Sequence, residues 1–150
     1  MAKYDKVRPL ALAIIRHEDH IFVAEGGDKI TRENYFRPIG GKIEYGEYGM
    51  QTVAREIHEE IHELISDVKY VGTIESIFPY KDYTGHEITL FYTARFSNPA
   101  LYDLSISLRA EEDEIDELLF IATWQPLSKF RNGESILYPN GLLELIDSLP

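Results

Sequence analysis

At 150 residues, with 44% hydrophobic and 27% charged residues and no low-complexity run, the chain is long enough for one domain with a real core and too short for two. It has no cysteine, which excludes disulfides and thiolate metal sites, and its formal net charge of −11 argues against holding a nucleic-acid backbone by bulk electrostatics. No stretch is apolar for long enough to span a bilayer, and the polar start from Met1 to Arg8 lacks the apolar core of a secretion signal, so a cytoplasmic protein with no membrane partner is expected.

In chain order, Val7 to Arg16 and His20 to Glu25 read as two strands around a His17-Glu18-Asp19 turn. Residues 26 to 34 read as a polar loop, and Tyr35-Phe36-Arg37-Pro38 leads into a glycine turn at Gly40 and Gly41. A helix follows from about Tyr48 to about Leu64, with Val53, Ile57, Ile61 and Leu64 at core-facing spacing. Val68 to Phe78 and Glu87 to Phe96 are rich in β-branched and aromatic residues and read as paired strands, with a turn-like Pro79 to His86 between them. Asn98 to Leu108 reads as irregular, Ala110 to Glu117 as an acidic run, and Leu118 to Gln125 as a strand that ends at Pro126. Asn140 to Leu149 closes the chain as a short amphipathic helix with Asn140 as its cap. There is no internal repeat and no interdomain linker. Strands on both sides of one long helix, with a second helix at the end, imply a mixed α/β (α+β) fold with a sheet packed between helices.

The long helix carries the chemistry. Glu56, Glu59 and Glu60 stand at offsets of three and four, which places them at roughly 0°, −60° and +40° around the axis. Three carboxylates on one face repel one another, and a hard divalent cation that takes several oxygen ligands would offset that repulsion. His58-Glu59-Glu60-Ile61-His62 also spells H-E-x-x-H, which would have His58 and His62 hold zinc, with Glu59 as base and His86 or a later carboxylate as third ligand. The two readings compete, because His58 lies roughly 200° from Glu56. The shorter motif arises by chance more easily, and His58 and His62 are read as partly exposed helix histidines.

The stretch from Gly41 to Glu63 resembles the Nudix box, G-x5-E-x7-R-E-U-x-E-E-x-G-U with U aliphatic. Gly41, Glu47, Arg55, Glu56, Ile57, Glu59 and Glu60 stand at the family's spacing, and Gly40 just ahead is also typical. Two positions depart: His62 replaces the final glycine and Glu63 the final aliphatic residue. Histidine at that point either takes a left-handed cap or lets the helix run on through Glu63 to Ser66. The resemblance implies an α/β/α sandwich. It also implies a Mg²⁺ or Mn²⁺ site made by the Gly40 carbonyl, Glu56, Glu59 and Glu60, with Gly41 and a Glu47–Arg55 salt bridge as structural support. The implied reaction is hydrolysis of a nucleoside diphosphate linked to another moiety, with Glu56 and Glu59 in the catalytic set. Family members take the proton with a box glutamate or with one on a later loop, for which Glu112 and Glu114 in the acidic run are the candidates. Nucleoside triphosphates, ADP-ribose, sugar nucleotides and dinucleoside polyphosphates all fall within the implied range. Many relatives are dimers, so a homodimer is among the expectations.

Arg37 and Lys42, beside the glycines, are candidate phosphate contacts. Tyr35, Phe36, Phe78, Tyr80 and Tyr83 are candidates to stack on a base, whereas Trp124 reads as core. The rival from another class is a non-catalytic module of the same fold that binds a nucleotide and regulates a partner.

Overall fold

The computed structural model describes residues 5–27, 34–80, 82–110 and 120–150. The first strand, β1 (Val7–Ile14), carries the run Leu10-Ala-Leu-Ala-Ile14, every residue of which is buried. A strand apolar at every position must be covered on both faces, and this one is. Beyond Ile15 the chain makes β2 (Arg16–His17), turns through Glu18 and Asp19, both at positive φ, and returns as β3 (His20–Gly27). The next strands are β4 (Asn34–Pro38) and β5 (Gly40–Lys42), then α1 (Gly49–Ile61) and a long hairpin of β6 (Ile65–Tyr80) and β7 (Tyr83–Phe96). A 3₁₀ turn at Pro99–Leu101 leads to β8 (Ser107–Ala110) and β9 (Phe120–Pro126). Then come α2 (Ser128–Arg131), β10 (Ile136–Leu137) and α3 (Leu142–Asp147).

The strands form two sheets, β5-β1-β7-β6 and β10-β4-β3-β9-β8, with β2 paired to β3. β1 lies parallel to β7 and antiparallel to β5. Period-two alternation sends Ala11 and Ala13 to one side, where they meet Val53, Ile57 and Ile61 of α1 along with Phe22 and Trp124. Leu12 and Ile14 go to the other side, against Phe91, Phe130 of α2, and Leu142 and Ile146 of α3. The result is the helix–sheet–helix layering expected of the chain. Among the described residues no helix is long and apolar enough to cross a membrane.

Several boundaries differ from the sequence reading, each for a physical reason. The strand expected from Val7 to Arg16 breaks at Ile15, because its first eight residues join one sheet and Arg16, in β2, joins the other. Gly26 and Gly27 extend β3 and Asn34 opens β4, shortening the expected loop; residues 28–33 lie outside the described residues. Gly40 and Gly41 are not a turn: they pair with Leu12 and Ala11 as an edge strand. The long helix stops at Ile61, because His62 adopts φ 58°, ψ 34° and its N–H donates to the His58 carbonyl, so the left-handed cap forms and the helix does not run on. Leu64 therefore leaves the apolar stripe and is 64% exposed.

The turn expected from Pro79 to His86 is there but tighter, confined to the residues between Tyr80 and Tyr83. Phe78 pairs with Gly85 and Pro79 with Thr84, so the ladder closes to the tip of the hairpin. The segment from Asn98 to Leu108 is more regular than expected: the Asn98 side chain accepts from the Ala100 N–H to start the 3₁₀ turn, and β8 begins at Ser107. The late strand takes in Pro126, while Leu118 lies outside the described residues. The last helix begins after Gly141 rather than at an Asn140 cap, and α2 and β10, too short to show a period, were not anticipated.

Candidate functional site

The site is built where β5 passes under α1. A Cβ on Gly40 would overlap the Ala11 carbonyl and Leu12, and a Cβ on Gly41 would overlap the Glu56 carboxylate. Both positions need glycine because two other groups approach the backbone, not because the chain turns there. The turn falls later, at Tyr45-Gly46, and Gly46 takes φ +82°. Tyr48 leads into α1, its N–H donating to the Gln51 side chain at 2.8 Å.

Arg55 ties loop to helix. Its Nε and Nη2 donate to the two oxygens of Glu47 at 2.8 and 3.0 Å, a bidentate pair. Nη2 also donates to the Lys42 carbonyl at 3.1 Å, fixing the end of β5. Nη1 donates to Glu56 Oε1 at 3.0 Å and Glu59 Oε2 at 3.2 Å. Glu47 accepts further from Thr52 Oγ1 at 2.6 Å and the Glu44 N–H at 3.3 Å. The Arg55 hydrogen bonds, aided by those of Thr52 and Glu44, hold the Glu47 carboxyl down at about 2 against its burial. Glu47 in turn, ahead of Glu56, holds Arg55 firmly protonated.

The structure therefore brings Gly41, Glu47, Arg55, Glu56 and Glu59 into one contact network, with the Lys42 backbone included and the Lys42 side chain exposed. Exposure falls along the candidate ligands: the Glu59 side chain is 44% exposed, that of Glu56 17%, and Glu60 is buried. Among the described residues no three acidic or histidine side chains converge as a ready metal cluster. The donor set nevertheless fits a hard divalent cation, since it is all oxygen. The Glu56 carboxylate also rests in a cradle that a Cβ would fill.

The remaining candidates lie elsewhere. His58 and His62 are exposed, and His62 stands past the last helical residue. His86 pairs with Glu75 at 3.3 Å on the β6–β7 hairpin. Glu112 and Glu114 lie outside the described residues, and Tyr80 is placed only as the last residue of β6. Tyr83 opens β7 and is half-buried. Phe36 is not a base platform: it is buried, with its ring edge-on to Phe130 at 5.8 Å. Trp124 is core as expected, its Nε1 donating to the Leu101 carbonyl at 2.8 Å.

Arg37 sits half-buried on β4, close enough to Glu87 of β7 to act on its charge. Glu87, its partner Arg8 and Tyr138 were missed by the sequence reading. The available signal was alternation: in Glu87-Ile-Thr-Leu-Phe91 the glutamate shares a face with Thr89 and Phe91, all three buried.

The family model described as the NUDIX domain matches residues 6–140. A NAD-capped RNA hydrolase NudC of Photobacterium profundum is 29% identical over 121 residues, which cover 76% of this chain and 41% of that protein. The chain thus spans about two-fifths of the length of that relative. Among solved structures, a NUDIX hydrolase from Nitrosomonas europaea superposes with a TM-score of 0.67 at 15% identity, covering 95% of this chain and 87% of the other. A MutT NUDIX hydrolase from Burkholderia pseudomallei superposes at 0.63 with 18% identity, covering 97% and 100%. At such identities the superpositions speak for the fold.

Proposed function

The chain belongs to the Nudix family of hydrolases, and from that premise we propose that it cleaves a nucleoside diphosphate linked to another moiety, with Mg²⁺ or Mn²⁺ held by Glu56, Glu59, Glu60 and the Gly40 carbonyl. The observation that carries this reading is the Glu56 carboxylate packed on Gly41 and fixed by Arg55, a carboxylate held still beside a backbone stripped of side chains. When bound, the cation would neutralise phosphate charge and lower the pKa of an attacking water. The protein's own part is positioning. A helix face clamped to β5 by Glu47 and Arg55 holds its carboxylates in fixed geometry, which in-line attack on phosphorus requires. Lys42 and Arg37, the cations next to the glycines in sequence, are the candidate substrate contacts. The proton goes to Glu56, or to Glu112 or Glu114.

The substrate is a small molecule from the nucleoside triphosphate, nucleotide-sugar or ADP-ribose class. An NAD cap, two nucleosides joined through a diphosphate, is of the same chemical kind, so NAD⁺ belongs in the panel. A cytoplasmic location and a homodimer complete the proposal. The test is nucleotide or phosphate release across diphosphate compounds with Mg²⁺ or Mn²⁺, wild type against Glu59→Gln. Turnover of a panel member that falls at least about a hundredfold in the variant is expected. Tight nucleotide binding without turnover by the wild type would instead make the chain a binding module.

A further inference from the structure

A second cluster of polar side chains lies on the side of the sheet opposite α1. Glu87 is only 7% exposed, and Arg8 on the neighbouring strand β1 approaches its carboxylate at 3.6 Å. Burial pushes the Glu87 carboxyl up, and the charges of Arg8 and Arg37 oppose this. Tyr138, just before α3, has its ring edge-on to Phe78 at 5.6 Å and tilted to Tyr35 at 5.9 Å. Its hydroxyl is buried and has no hydrogen-bond partner among the described residues. Burial, and after it the charge of Glu87, push that phenol up. Tyr35, Arg37, Phe78 and Tyr138 each keep part of their surface in solvent, so the cluster has a buried floor and an open rim.

We propose that Glu87, Arg8, Arg37 and Tyr138, walled by Tyr35 and Phe78, form the subsite for the nucleobase of the substrate and select a base with two adjacent N–H donors, guanine first. A carboxylate only accepts hydrogen bonds, and it has two oxygens to satisfy. Guanine presents N1–H and N2–H side by side, with the O6 acceptor next to them for a guanidinium or phenol donor. Adenine and cytosine place an acceptor beside their amino group, and uracil flanks its single N–H with carbonyls that would face the carboxylate. The aromatic edges and faces around Tyr138 suit a flat ring. A phenol without a partner is costly in the empty protein, and a ligand that pairs with it removes that cost.

Position links the cluster to the diphosphate chemistry. Arg8 lies two residues before Leu10, whose strand partner is Lys42, and Arg37 precedes Gly40 by three. A nucleotide with its base on Glu87 therefore has the β4–β5 segment beside it. The word "substrate" rests on the hydrolase reading; the binding itself does not.

The experiment measures dissociation constants of GMP, AMP, CMP and UMP for the full chain in EDTA by calorimetry, for wild type, Glu87→Gln and Tyr138→Phe, with a thermal melt of each. Wild type should favour GMP by about tenfold or more. Glu87→Gln should erase most of that preference while leaving the other three within about twofold. Tyr138→Phe should weaken GMP without lowering the melting temperature, since it deletes only a hydroxyl that no described residue satisfies. Equal affinities for the four nucleotides, or a GMP preference that survives both substitutions, would overturn the proposal and leave Glu87–Arg8 as a structural ion pair. Because EDTA removes the cation, a GMP preference without turnover in Mg²⁺ would sink the hydrolase reading alone.

Discussion

The Glu47–Arg55 clamp predicts a specific pH dependence of stability. The Glu47 carboxyl falls from its ordinary 4.5 to about 2 on folding, chiefly through the two Arg55 hydrogen bonds. At 1.36 kcal/mol per pKa unit, that drop is worth about 3 kcal/mol. That figure is an upper bound, because the pair lies at the surface, with Arg55 27% and Glu47 17% exposed, and solvent screens part of it. The sign follows from the direction: a depressed carboxylate binds protons less well folded than unfolded, so its contribution is fully present above about 4.5 and is lost as pH falls toward 2. Glu47→Gln removes this contribution while keeping the shape. Arg55 still has Glu56 and Glu59 within reach, so the net cost at pH 7 should be about 2 kcal/mol rather than the whole. Urea denaturation of both proteins from pH 2 to 7 checks this. The wild-type advantage should be flat above about pH 5 and close to nil by about pH 2. Stability curves that run parallel down to pH 2 would show that the clamp adds nothing and refute the reasoning.

Three further substitutions probe separate steps. Gly41→Ala places a Cβ where the Glu56 carboxylate lies, so turnover should fall by about tenfold or more while the fold survives, as read by kinetics beside circular dichroism. His62→Gly should raise stability by about 0.5–1 kcal/mol, because the position already holds φ 58° and glycine takes that conformation without the Cβ penalty, offset in part by its looser unfolded chain. Trp124→Phe should cost about 1–3 kcal/mol, since it leaves the buried Leu101 carbonyl without its indole donor and opens space among Phe22, Phe96 and Tyr102.

How far the sequence revealed this molecule depended on whether the determining contacts were local. The carboxylate helix was legible because Val53, Ile57 and Ile61 share one face and Glu56, Glu59 and Glu60 another, a pattern written within thirteen residues. The glycines were visible as a requirement but misread as to cause. Nothing near Gly40 and Gly41 in sequence says that Ala11, Leu12 and Glu56 press on them, so a turn was the simplest inference. The end of α1 was open for a different reason: a histidine tolerates both outcomes, and the left-handed one is what the structure shows.

Selectivity was the least legible part, and the reason is topological. Arg8, Arg37, Glu87 and Tyr138 come from β1, β4, β7 and the segment before α3, and no motif spans them. Each looked ordinary where it stood: an arginine near the start of a strand, a glutamate in an alternating run, a tyrosine beside a proline. The parallel pairing of β1 with β7, which sets Arg8 opposite Glu87, is a contact between residues almost eighty positions apart. A box whose parts sit on one loop and one helix can be preserved as spacing. A subsite assembled from four elements can change one residue at a time without disturbing that spacing, so shared catalytic chemistry and divergent substrate choice can coexist on one fold.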